Sequence, residues 1–249
     1  MTMPVYEFPL NEKMRNYLRI EDLMANITLT SSSSSSRLHI QFFEHLFTLL
    51  DLLERIDIRG DVIKDLDAQE RNLVIWSQHP NIDNTALSTT LKAVIQCRDG
   101  LKTAGKPGSE LKSDGFLQSI RQRFAIPGAT CSFDLPQLHF WLGKSDEARS
   151  KDINTWLSSV ILVSDAISML LGLLRQRSQF VDVVAKTGFY QGNADDKNVL
   201  IRIKMPPKAT VYPTLSGNKY RYALRFMEME AGQSIASGSE VTFSMAACK

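Results

Sequence analysis

Residues 156–174 read WLSSVILVSDAISMLLGLL, and the disposition of this stretch decides the fold. By length alone it is long enough to suggest a membrane span. It also carries Ser158, Ser159, Ser164, Asp165 and Ser168, and a carboxylate at mid-span is costly in lipid. Trp156, Val160, Val163, Ile167, Leu171 and Leu174 recur at the i, i+3/i+4 interval of a packed helix. The stretch is therefore expected to be the central buried helix of a protein core, ending near Gln176.

Upstream, the same period recurs. From Leu10 to about Thr28, the residues Leu10, Met14, Tyr17, Leu18, Met24 and Ile27 gather on one helical side, and Arg15 and Arg19 stack opposite. Glu21 falls inside the apolar stripe, where an unpaired carboxylate is penalised. Six serines, Ser31 to Ser36, read as a low-complexity linker. Leu38 to about Ile56 is apolar nearly all round through Phe42, Phe43, Leu46, Phe47, Leu49, Leu50 and Leu53, which predicts deep burial. Helices are also expected over Val62–Trp76, Thr85–Leu101 and Phe116–Phe124, the last stopped by Ile126-Pro127-Gly128. Gly100, Gly105, Pro107 and Gly108 break the pattern in between. Asp134 is placed to cap a helix running to about Leu142, with Pro136 in its first turn.

Downstream, the period falls from 3.6 to 2. Val199, Ile201 and Ile203 alternate with Leu200, Arg202 and Lys204, and Tyr220, Tyr222, Leu224 and Phe226 alternate with Arg221, Ala223 and Arg225. Val241, Phe243 and Met245 continue the scheme, and turn residues such as Gly192-Asn193 and Ser216-Gly217-Asn218 separate the runs. The fold class is thus α+β: a large N-terminal helical domain over 9–178 followed by a small antiparallel β-sheet domain over 179–249. Residues 4–8 supply an N-terminal strand that could join the sheet.

A chain of 249 residues that is 43% apolar can bury a substantial core. Its net charge of +2 lacks the basic excess of a nucleic-acid binder, so any charge recognition has to be local. The start, MTMPVYEFPLNEK, lacks the basic and then apolar runs of a secretory signal. Cys97, Cys131 and Cys248 show no metal-type spacing and read as free thiols of a reducing compartment.

Phosphate-cradling glycine loops, HExxH, GxSxG and metal-ligand carboxylate clusters are all missing, and no cofactor is expected. The best enzyme candidate is Cys131 with His139, a thiol near an imidazole, which gives a cysteine-dependent hydrolase as the alternative function. A structural Cys131 is the commoner case. His139 falls within the helical arc of Leu135, Leu138 and Leu142, either as a core histidine or as a pocket wall. His39, His45 and His79 read as structural. Among the arginines, Arg121 and Arg123 flank the stripe of Phe116, Ile120 and Phe124, while Arg221 and Arg225 share one strand face. A guanidinium grips carboxylates bidentately, so such a face suits an acidic peptide, whereas Arg55 could equally serve a helix C-terminus.

Pro9-Leu10-Asn11-Glu12-Lys13-Met14-Arg15 with Leu18-Arg19-Ile20-Glu21 resembles the start of the ZapD family, the FtsZ-associated cell-division factors of γ- and β-proteobacteria. Arg121-Gln122-Arg123, Cys131-Ser132-Phe133-Asp134-Leu135-Pro136, Leu138-His139, Gly188-Phe189-Tyr190-Gln191 and Arg225-Phe226-Met227 extend the resemblance over essentially the whole chain. It implies a cytoplasmic homodimer at the mid-cell division ring that binds the C-terminal tail peptide of FtsZ, bundles its protofilaments and lowers its GTP turnover. It implies neither catalysis, nucleic-acid binding nor membrane insertion. Basic binding positions of the family carry over to Arg19 and His139, and a second basic region to Arg55, Arg221 and Arg225. The chain departs from the family at Ser113-Asp114-Gly115, where a relative has a basic residue, and in its polyserine stretch.

Overall fold

A computed structural model of the chain describes residues 3–77, 84–193, 195, 197–218 and 220–249. The chain divides into two compact units, Arg19–Leu170 on one side and Met1–Leu18 with Leu171–Lys249 on the other. The division falls inside two helices, α1 (Glu12–Ser31) and α8 (Asp146–Gln176).

The Arg19–Leu170 unit is helical. Besides its share of α1 and α8 it holds α2 (Ser36–Arg55), α3 (Ile58–Trp76), α4 (Asn84–Thr103), α5 (Ser109–Ser113), α6 (Gly115–Phe124) and α7 (Pro136–Leu142). The apolar stripe of α2 is buried through Phe42, Phe43, Leu46, Phe47, Leu49, Leu50 and Leu53. Phe43 sits at the centre of an aromatic cluster, edge-on to Trp141 of α7 at 5.0 Å and to Trp156 of α8 at 5.7 Å between centroids. Phe47 meets Phe124 of α6 edge-on at 5.1 Å. Edge-to-face rings add to burial because the positive rim of one meets the negative face of the other. Elsewhere in the unit, Arg59 on α3 donates to the carbonyls of Leu101 and Lys102, satisfying the open C-terminal turn of α4.

Within α8, Val160, Val163, Ile167 and Leu171 are buried while Ser158, Asp165 and Ser168 are exposed. Among the described residues it is the one helix long and apolar enough to cross a membrane, and that expected stripe is spent on protein core. The helix is two-faced rather than buried all round.

The other unit is a β-sandwich. Its first sheet runs β1 (Val5–Pro9), β4 (Leu200–Lys204), β8 (Val241–Cys248), β2 (Val181–Ala185). The second runs β3 (Phe189–Asn193), β6 (Arg221–Glu230), β5 (Val211–Gly217), with β7 (Gln233–Ala236) also pairing β6. All pairings are antiparallel. Ile201, Ile203, Phe243 and Met245 of the first sheet pack against Tyr222, Leu224 and Phe226 of the second, with the Phe226 and Phe243 rings 4.9 Å apart. Gly192 leaves room for the Tyr222 ring, which a Cβ there would meet at 2.5 Å.

The structure corrects several sequence expectations. One small sheet becomes two facing sheets, and Tyr220, read in alternation with Tyr222, Leu224 and Phe226, is exposed ahead of β6. The six serines are not one linker: α1 continues through Ser31 and α2 begins at Ser36, because serine hydroxyls satisfy the frayed carbonyls, Ser31 and Ser32 both donating to Thr28. A short helix, α5, fills the glycine-rich break after α4, entered through Gly108 in the left-handed region. Asp134 does not cap α7; Leu135 is the capping position and supplies no side-chain bond.

Glu7 of β1 ties three elements of the sandwich unit. It accepts two bonds from Arg175 of α8, at 2.9 and 2.6 Å, and one from Arg202 of β4 at 2.8 Å. All three side chains are less than a quarter exposed, so removing the carboxylate leaves two poorly solvated cations facing each other. Glu7→Gln is expected to lower unfolding stability by about 2 kcal/mol, measured by urea denaturation.

His39 on α2 is 2% exposed, edge-on to Trp141, and its Nδ1 has no hydrogen-bond partner. Burial pushes its pKa below the ordinary value, the Arg149 charge adds to this, and Asp146 opposes it. The folded state therefore binds this proton less readily than the unfolded chain, and stability contributed at neutral pH is lost as pH falls below about 6.5. Denaturation midpoints measured from pH 7.5 down to 5 are expected to fall, and His39→Phe to flatten that decline.

Candidate functional site

Turning Phe43, Leu46, Leu50 and Leu53 inward obliges α2 to present Thr48, Asp51, Leu52 and Arg55 outward. These residues face Arg19, Asp22 and Leu23 of α1 across a groove of about 470 Å³. Arg19 and Arg55, which the resemblance assigns to different basic regions, thus line one site. Both are exposed, and no ion pair to Arg55 is formed among the described residues. Leu23 and Leu52 add apolar wall, so the groove offers two guanidinium groups beside aliphatic surface. Its own carboxylates are Asp22, which accepts a bond from Asn26 at 3.3 Å, and Asp51.

Asp51 is shared with a second cleft, of about 820 Å³, on the other flank of α2. There Arg121 of α6 grips Glu54 with two bonds, at 3.0 and 3.2 Å, and also donates to Asp51. This contact holds the Glu54 carboxyl below its ordinary range and raises the Arg121 pKa. Arg121, expected on a peptide-binding face, is therefore committed inside the chain. Helical spacing shows which way a side chain projects, not which carboxylates await it on another helix.

Arg123 lies 3.8 Å from Asp134, whose carboxylate also accepts the Cys131 thiol at 3.2 Å. That explains the lost cap: Asp134 is drawn sideways to Arg123 and Cys131. His139 is exposed, neither a core histidine nor part of the described cavities, because the short α7 buries only Leu138 and Trp141 and position 139 lies 100° further round. The Cys131–His139 pair is thus not assembled; the thiol points at a carboxylate, the wrong partner for a thiolate nucleophile. His39, read as structural, is buried and His45 half-buried, while His79 lies outside the described residues. In the sandwich unit, Arg221 and Arg225 are exposed on one face of β6, opposite buried Tyr222, Leu224 and Phe226. Arg225 lies over the Phe189 ring at 5.9 Å, and Arg221 borders a cavity of about 370 Å³ with Gln191, Ser216 and Asn218. Among the described residues no cluster of His, Cys, Asp and Glu suited to a metal ion occurs.

The groove residues Thr48, Asp51 and Leu52 escaped the sequence reading, although their spacing with Arg55 is helical. The apolar majority of α2 hid this minority face.

A family model described as ZapD, cell division protein, matches residues 18–225. The chain belongs to the ZapD family. Cell division protein ZapD of Vibrio parahaemolyticus serotype O3:K6 (strain RIMD 2210633) is 39% identical over 248 residues, 100% of each chain to the nearest per cent. That of Vibrio atlanticus (strain LGP32) is 37% identical over 243 residues, 98% of each, and that of Shewanella sp. (strain MR-7) 39% over 248. A role in cell division follows from this membership. Within this ZapD-family chain, Arg121→Gln is expected to cost on the order of 1 kcal/mol in thermal unfolding, because the paired charges are only partly shielded, and the loss should shrink in high salt.

Proposed function

We propose that the chain is a non-catalytic, cytoplasmic division factor that binds the C-terminal tail peptide of FtsZ at the mid-cell ring. As a homodimer it bundles FtsZ protofilaments, promotes Z-ring assembly and lowers FtsZ GTP turnover. The observation that carries this reading is the meeting of Arg19 and Arg55 with Leu23 and Leu52 on one groove in a member of the ZapD family. Guanidinium groups hold carboxylates with paired, charge-assisted bonds, and the leucines accept aliphatic side chains, so a short acidic and apolar peptide fits. Asp22 and Asp51 repel misplaced acidic residues and fix the register. The bond from Arg121 offsets part of the Asp51 charge on the groove side. Arg221 and Arg225 supply a second basic face, where Phe189 adds an aromatic platform.

One tail site per chain decorates a filament; joining two filaments takes two sites at a fixed separation, which a two-fold dimer provides. FtsZ polymers offer many tails, so weak single contacts add up. Light scattering and co-sedimentation with FtsZ, with and without its C-terminal tail, test the proposal, and ultracentrifugation reports the oligomer. Arg19→Glu with Arg55→Glu is expected to abolish bundling and leave the dimer intact. Tail affinity should fall as salt rises and the screening length shortens to about 8 Å and below. Cys131→Ser should bundle normally; loss of bundling in that folded variant would favour the hydrolase instead, and unimpaired bundling by the double arginine variant would discard this groove.

A further inference from the structure

A third cavity of the helical unit, about 680 Å³, opens between the start of α6, α7 and the N-terminal half of α8. Its chemistry is opposite to that of the arginine groove. The floor is aromatic: Phe116 stacks on Trp156 at 5.7 Å with the planes 6° apart, and on Trp141 at 6.1 Å. Each indole N–H is held by a carboxylate that also lines the cavity, Trp141 by Asp152 at 2.8 Å and Trp156 by Asp114 at 3.1 Å. These bonds fix the rings in place. Asp114 further accepts the Leu117 amide at 2.8 Å as the cap of α6, so both of its oxygens are positioned.

Two further features point to an occupant. Phe140 on the rim is 77% exposed, a large ring that the fold does not use. The lining holds Asp114 and Asp152 against the single cation Lys144, which bonds Asp152 at 2.8 Å, so one negative charge remains beside the exposed Phe140 ring and the half-buried Phe116 ring. Ring faces attract cations, and a guanidinium is flat, weakly hydrated and able to stack while its edge bonds a carboxylate. An anion meets repulsion from both the rings and the aspartates.

We infer that this cleft is a second peptide-binding site, one that takes an arginine side chain flanked by apolar residues from a partner polypeptide. The guanidinium stacks on the exposed Phe140 ring and bonds Asp114, while an adjacent aliphatic side chain covers the half-buried Phe116. A chain with both sites reads two chemically opposite features of its partners, an acidic one at Arg19 and Arg55 and a cationic one here. The inference does not depend on FtsZ being that partner.

The test uses the full chain and a synthetic peptide, acetyl-Gly-Leu-Arg-Leu-Gly-amide, alongside versions with citrulline or glutamate in place of arginine. The indole N–H signals of Trp76, Trp141 and Trp156 are followed by heteronuclear NMR. The arginine peptide is expected to shift the Trp141 and Trp156 signals and leave Trp76 in place. Citrulline, isosteric but neutral, should weaken binding about three- to fivefold, and glutamate should abolish it. Phe140→Ala, at a position exposed enough to leave the fold intact, should weaken the arginine peptide about as much, and Lys144→Gln should strengthen it. Equal shifts from the glutamate peptide would overturn the inference in favour of an apolar groove indifferent to charge. Absence of any shift would overturn it outright. Self-association of the free protein that Phe140→Ala abolishes would assign the cleft to a second copy of the chain.

Discussion

The packing of Phe43 against the rings of α6, α7 and α8 is the constraint on which the helical unit depends. Burying that ring fixes the rotation of α2 about its axis, and 3.6 residues per turn then leave no choice for the rest. Leu46, Leu50 and Leu53 follow inward, and Thr48, Asp51 and Arg55 are turned outward to the two grooves. The same cluster orients Trp141 and Trp156, whose far edges form the carboxylate-lined cleft. Core and surface chemistry are thus two sides of one helix rotation. A substitution that rotates α2 disturbs both grooves without touching either.

The α+β class was legible because periodicity is a strong signal where stripes are long, as in 156–174, and where alternation is strict, as in Tyr222, Leu224 and Phe226. Alternation says which side of a strand is buried but not against what. That Phe226 meets Phe243 across a sandwich, and not a neighbour within one sheet, is a long-range fact with no local signature. Asp134 shows the same limit: its position suits a cap, yet Arg123 and the Cys131 thiol outbid the local backbone. The core-histidine reading of His139 failed for a simpler reason. An arc drawn through a helix of seven residues is too short to define a buried face.

Site residues divide along similar lines. Arg19, Arg55, Arg221 and Arg225 were nameable as candidates because the resemblance marks them. Their grouping was not, since sequence distance hides that Arg19 and Arg55 line one groove. Arg121 carries the counter-lesson. An arginine on an apparently open helix face is engaged by Asp51 and Glu54 from far away in sequence, and its value is to the scaffold and to the charge balance of the neighbouring groove.

The N-terminal strand sets a schedule for synthesis. Among the described residues β1 pairs only with β4, Val5 lying opposite Lys204, and β4 in turn is flanked by β8. At roughly 5–20 residues per second, a ribosome takes about 10–40 s to make what separates these partners. Throughout that interval the first strand has no ladder to join, although everything needed for the Arg19–Leu170 unit is emerging. The helical unit is therefore free to mature first, as a loop hung between two tethers of one unfinished sandwich. The sandwich closes last, so a nascent chain that stalls before β8 carries a formed arginine groove together with an incomplete first sheet.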